Sequence, residues 1–155
     1  RRATTIESSK QFREAAGQMG IQFVERHFVS VEELQTVVRA LKTGEFDAYL
    51  AMAEPTATNQ SQLIIDTAKD KRLPTMFNFP TEVIKGGLAS YGASFYQTGR
   101  VSAKYVQRIL TGVKPKDLPV EGVDKIDLVI NLKTAKQIGL NIPPNVLARA
   151  DKVIR

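Results

Sequence analysis

The chain has 155 residues, 43% of them hydrophobic and 25% charged, which is enough apolar content for one domain with a real core. It contains no cysteine and a single histidine, which excludes a disulfide scaffold, thiolate chemistry and a Cys- or His-based metal cluster. The formal charge of +6 would suit a nucleic-acid partner only if the basic residues were gathered on one face.

They are not gathered. Arg1-Arg2, Lys69 to Arg72, Arg100 to Arg108, Lys114 to Lys116 and Lys133 to Lys136 fall on polar helix faces and in loops. The pattern is that of a solvated surface, and no nucleic acid is expected as a partner. No apolar run approaches the ~20 residues of a membrane span. There is neither a starting methionine nor a signal peptide, so the expectation is a processed or cropped piece whose targeting information lies elsewhere.

Residues 5–19 predict an amphipathic helix with Ile6, Phe12, Ala15, Ala16 and Met19 on one stripe, and Gly20 stands where a C-terminal cap is wanted. Residues 21–29 predict a strand rich in Val, Ile and Phe, and His27 within it reads as a structural or surface residue. Ser30 followed by Glu33 is a capping-box signature. The helix it opens carries Val31, Leu34, Val37, Val38 and Leu41 on one face, and Gly44 ends it. Residues 46–52 are nearly continuous in apolar character, as a strand covered on both faces requires, and are expected at the centre of the sheet. A helix over 59–71 and a strand over 73–77 follow.

Alternation of helix and strand with short links implies a parallel sheet with right-handed crossovers. A different texture begins next. Pro80, Gly86, Gly87, Gly92 and Gly99 crowd together around a short strand at 88–91, and a helix over 94–111 is expected to bury Phe95, Val101, Tyr105, Val106, Ile109 and Leu110. Beyond Pro119, Ile126, Leu128 and Ile130 alternate on a strand that ends at Asn131. A short helix stopped by Gly139 follows, and Pro143-Pro144 starts a last one. Expected core residues are Val24, Leu34, Val38, Leu50, Ile64, Ile109 and Ile130.

Ligands of open parallel sheets sit beyond the carboxyl ends of the strands. That rule selects the loop after Met52, with Glu54, Thr56 and Thr58 beside a helix start, although capping alone accounts for Thr58. It also selects the loop Asn78-Phe79-Pro80-Thr81-Glu82, in which Phe79 is either a stacking wall or a core residue at a chain reversal, and Tyr91, which either faces a cleft or packs under the next helix. Gly92 would permit close approach of another segment.

Catalysis finds no support. Asp47 and Glu54 stand at opposite ends of one strand, and no GxGxxG, Walker or GxSxG pattern occurs. No cofactor, no metal and no enzymatic activity are expected.

Several segments together resemble one family. They are Phe46-Asp47-Ala48, Arg72-Leu73-Pro74, and Gly86-Gly87-Leu88-Ala89-Ser90-Tyr91-Gly92. Also matching are the helix end Val106 to Gly112, Lys114-Pro115, Leu118-Pro119-Val120-Glu121, and the run from Leu118 to Arg155. Over essentially its whole length the chain resembles the C-terminal half of ABC-transporter substrate-binding proteins of the tryptophan/tyrosine-binding type.

The resemblance implies a parallel three-layer α/β/α sheet, a type I periplasmic-binding-protein lobe incomplete at the N-terminus, its first strand lying upstream of Arg1. Residues 1–78 would belong to the second lobe, 79–119 would cross to the first, and 120–155 would return. It further implies a periplasmic or otherwise extracytoplasmic, membrane-associated protein that closes over a small-molecule solute and delivers it to an ABC permease. A homodimer of the 155-residue piece is an added expectation. The family's Asp-Asn-Thr-type loop is replaced here by Glu54-Pro55-Thr56, which keeps a carboxylate and a hydroxyl but loses the amide. The alternative is the effector-binding domain of a lac-repressor-like transcriptional regulator, which shares the fold.

Overall fold

A computed structural model describes residues 3–155, with side chains from Glu7 onward. Arg1, Arg2 and the Ile6 side chain, all used in the sequence reading, lie outside the described residues.

Helix α1 (Ala3–Gln18) ends as its sequence demands, with Gly20 in the left-handed region at φ 67°. Helix α2 (Val31–Arg39) starts on Ser30, whose hydroxyl accepts from the Glu33 amide at 3.2 Å. Glu33 reciprocates one residue earlier than the standard box, accepting from Val29 N at 2.9 Å. Strand β1 (Tyr49–Leu50) leads to the short helices α3 (Pro55–Asn59) and α4 (Ser61–Asp70), and then to β2 (Thr75–Phe77). Helix α5 (Pro80–Ile84), strand β3 (Ala89–Ala93) and the long helix α6 (Phe95–Leu110) follow. After a 3-10 turn at Pro115–Asp117 come β4 (Ile126–Asn131), α7 (Leu132–Ile138), α8 (Pro144–Leu147) and β5 (Lys152–Ile154).

The five strands lie in the order β1-β2-β3-β4-β5. Three pairings are parallel, and β3 runs antiparallel to β4 over five residue pairs from Ala89↔Ile130 to Ala93↔Ile126. The antiparallel step arises because the chain leaves the sheet after Ala93 and re-enters beside the same strand end, closed by a Ser94 N–H donated to Lys125 O at 3.0 Å.

Adjacent strand residues point to opposite faces, and Met76 and Phe77 accordingly join different cores. Phe77 packs with Leu34, Val38, Ala57, Ile64 and Ile65, flanked by Phe28, Tyr49 and Leu63. Met76 packs against Leu88, Ala89, Ile130, Ala135 and Ile138, with Val146 and Leu147 of α8. Each buried aliphatic side chain contributes roughly 1.5–3 kcal/mol. The layering is the expected three-layer α/β/α arrangement, but the sheet is mixed rather than wholly parallel.

Three expectations are corrected. Residues 21–28 form no strand: the run carries no ladder hydrogen bonds and is held by side chains, through ion pairs Arg13–Glu25 and Arg26–Glu45 and by Arg26 over the Phe46 ring. Val24 is therefore exposed rather than buried.

Of the predicted central strand, only Tyr49 and Leu50 pair. They lie at an edge of the sheet among the described residues, and Leu50 is exposed for want of a neighbour on its outer side. Ile109 is exposed as well, because α6 stands away from the sheet with none of its residues buried. Leu34, Val38, Ile64 and Ile130 are buried as expected.

Candidate functional site

β1 and β2 are parallel, so the loops that follow them open at the same edge of the sheet. Between these loops and α1 lies a cleft of about 420 Å³, bounded by Ser8, Gln11, Phe12 and Ala15 of α1 and by Met52, Ala53 and Asn78. Met52, Ala53 and Asn78 also line a second, much smaller niche of about 10 Å³, closed by Ala57, Thr58, Ser61, Phe77, Phe79 and Glu82. Ala51 completes its lining. The niche opens off the cleft and has room for one water-sized group.

Backbone contact fixes the mouth. Gly92 on β3 lies so close to the loop after β2 that a Cβ there would stand 1.9 Å from the Asn78 carbonyl oxygen. The predicted close approach at Gly92 thus positions Asn78, a residue shared by niche and cleft. Behind the niche, a Cβ on Gly87 would meet the Phe77 ring at 2.7 Å and Glu82 O at 2.9 Å.

The five residues selected from sequence divide into three situations. Glu54 is the N-cap of α3: its carboxylate accepts from Ala57 N at 2.9 Å and from the Thr56 hydroxyl at 3.2 Å. Glu54 and Thr56 line neither niche nor cleft. Thr58 and Phe79 meet in the niche; the Thr58 hydroxyl donates to Glu54 O at 2.9 Å, and the Phe79 ring stacks on Phe95 of α6 with centroids 5.5 Å apart. Tyr91 on β3 is 56% exposed and borders neither cavity.

Sequence reasoning placed Asn78 and Glu82 in the second candidate loop but singled out only Phe79 there, and it missed the α1 contribution. Asn78 directly follows β2 and was reachable by the rule that selected Glu54. Glu82 carried only a faint signal, a carboxylate just before the apolar pair Val83-Ile84 in a five-residue helix. The α1 residues are brought in by tertiary packing, which no local pattern reports.

Among the described residues, no group of three or more His, Cys, Asp or Glu side chains could hold a metal. None of the helices described is long and apolar enough to cross a membrane. What this edge of the sheet offers is a cavity with polar groups at one end and an aromatic wall.

Residues 2–154 match the family described as ABC transporter substrate binding protein. The chain belongs to that family. No curated protein sequence matches it significantly.

Among solved structures, a conserved domain protein from Vibrio cholerae is 30% identical, with a TM-score of 0.85 over 98% of this chain and 51% of that one. An ABC domain from Streptococcus pneumonia in complex with L-Trp is 26% identical, with a TM-score of 0.83 over 97% of this chain and 52% of that one. A substrate binding protein with adhesive properties from Clostridium difficile, in a ligand-free, open form, shares the fold at 21% identity. Its TM-score is 0.72 over 99% of this chain and 51% of that one. The substrate-binding chain described here thus spans about half the length of the solved relatives it matches.

Proposed function

We propose that this chain forms part of an extracytoplasmic solute receptor of an ABC importer, which binds a small organic solute of amino-acid size without transforming it. The observation that carries the reading is the cleft of about 420 Å³ at the carboxyl ends of β1 and β2. Its volume suits a small molecule, and its place is where open α/β sheets bind ligands. Membership of the substrate-binding family favours the importer over the regulator reading. Solute release would then serve a membrane permease, and closure over the solute would be a hinge motion between lobes.

The lobe assignment belongs to the same proposal. In it residues 1–78 belong to the second lobe, 79–119 cross to the first, and 120–155 return to the second. Helix α6, none of whose residues is buried, supports a crossing within 79–119. Glu54, Thr56, Thr58, Phe79 and Tyr91 remain the proposed ligand set. Thr58 and Phe79 act directly in the niche, Glu54 and Thr56 shape the α3 cap behind it, and Tyr91 would engage a solute only from the side of α6.

The test uses the protein in its full native length. Denaturing mass spectrometry of the purified protein, followed by a thermal-shift screen of amino acids and small amines, should reveal a solute that raises Tm. A protein that carries no solute and responds to none of those small molecules would end the reading.

A further inference from the structure

Resting on the solute-receptor reading, we infer that Glu82 is the ammonium subsite of this receptor, and that the niche selects solutes bearing a primary amine at one end.

Glu82 is 3% exposed, yet it forms no ion pair within 4.0 Å among the described residues. One carboxylate oxygen, Oε2, accepts a hydrogen bond from the Thr81 hydroxyl at 2.9 Å. The other has no hydrogen-bond partner among the described residues. It is not sealed from the cavity either, since among them the one fully enclosed side-chain polar atom without a partner is Ser90 Oγ. A buried carboxylate is costly unless a cation or several donors compensate it, and this one lines a niche with space for a single water-sized group. An ammonium has that size, and it supplies the missing positive charge and donors.

The neighbours leave the position open. Lys85, one turn on, donates to Ser61 Oγ at 3.1 Å and so reaches the niche wall rather than the carboxylate. Glu54, the carboxylate a sequence reading would choose for an amine, is already occupied by the α3 cap. With the ammonium in the niche, the rest of the solute would pass Met52, Ala53 and Asn78 into the cleft beside Phe12.

The experiment is calorimetry on the full-native-length protein with matched probe pairs: 2-phenylethylamine against 2-phenylethanol, L-phenylalanine against 3-phenylpropionate, and putrescine against 1,4-butanediol. The amine of at least one pair should bind roughly tenfold to a hundredfold tighter than its partner, the range expected of a charged hydrogen-bonded contact. Glu82→Gln should close that gap, chiefly by weakening the amine. Glu82→Asp should keep part of it, and circular dichroism would verify that both variants fold.

A gap that survives in Glu82→Gln, or equal binding of amine and amine-free probes, would overturn the inference and leave the niche to a structural water. Binding of an amine-free solute from the broader screen, with no probe amine bound, would overturn it too. In both cases the solute-receptor reading would stand, whereas failure to bind any solute would remove both.

Discussion

The approach of Gly92 to Asn78 is the tightest constraint at the site, and it makes an opposite pair of outcomes. Gly92→Ala has no room for its methyl group. It should cost roughly 1–3 kcal/mol, as overpacking does, and weaken solute binding by displacing Asn78. Gly99→Ala, in the exposed middle of α6 with nothing within 4 Å of the new Cβ, should instead gain roughly 0.5–1 kcal/mol of helix stability. Urea unfolding of the two variants checks the contrast, and equal effects would remove Gly92 from its proposed role.

Arg72 offers a third case, a non-glycine residue at φ 55° just after α4. That conformation costs a side-chain-bearing residue roughly 1–2 kcal/mol. Arg72→Gly should therefore raise the unfolding midpoint despite glycine's greater unfolded-state entropy.

The caps at Ser30, Gly20 and Gly139 were readable from the chain, since capping depends on residues within one turn. The special position of Arg72 was not readable, because no residue-type preference points to it.

Helix α7 is fastened at both levels by Asn131. Its side-chain oxygen accepts from Thr134 N at 3.1 Å, and its amide donates to Val83 O on α5 at 3.1 Å. Asn131→Ala removes a cap worth about 1 kcal/mol and one hydrogen bond to the Val83 carbonyl, which keeps the Gly86 N–H at 3.1 Å, at about 0.5–1.5 kcal/mol. A loss of roughly 1.5–2.5 kcal/mol in denaturant unfolding is expected, and a change under about 0.5 kcal/mol would show the joint to be dispensable.

At the outer end of β4, Leu128 N donates to Asp151 at 2.9 Å, and Lys125 lies 3.4 Å from both Asp127 and Asp151. The Leu128 hydrogen bond foremost, aided by Lys125, holds the Asp151 carboxyl below its usual value, while its two acidic neighbours push the Lys125 amine up. A depressed carboxyl stabilises the fold above its unfolded pKa, and that contribution is lost as pH falls through the folded value. Tm should therefore fall on acidification below about pH 4, and less so in Asp151→Asn, from a lower starting point. An identical acid profile in the variant would dismiss this group.

Elements with strong periodicity or flanking glycine and proline were legible: α1, α6, β4 and α7 fall close to their predicted spans, whereas α2 starts on its predicted cap but stops at Arg39, before Leu41 and Gly44. β5 and α5 were missed because each is too short for a period to register. Residues 21–28 have the composition of a strand but no partner to pair with among the described residues.

For the molecule as a whole, the cleft lies where the strand-end rule pointed, but most of its wall comes from α1, which the rule cannot see. Helix α6 presents Phe95, Tyr96, Val106, Ile109 and Leu110 to solvent, the last at 81% exposure. Several exposed large apolar side chains on one helix invite a cover. The 155-residue chain expressed alone is expected to self-associate, and the double substitution Val106→Ser, Leu110→Ser should return it to a monomer in sedimentation. A wild-type chain that stays monomeric at high concentration would refute this.

The antiparallel joint between β3 and β4 has one more consequence. Ala93 and Ile126 face each other across a ladder, so everything between them is an excursion that ends where it began. Two antiparallel strands with adjoining ends can be joined by a turn of about two residues. Replacing residues 95–124 with a short Asn-Gly turn should therefore yield a foldable hairpin with both cores intact. The graft would read the sheet as an autonomous chassis and α6 as a detachable arm; an unfolded product would mean that the arm is part of what makes the sheet fold.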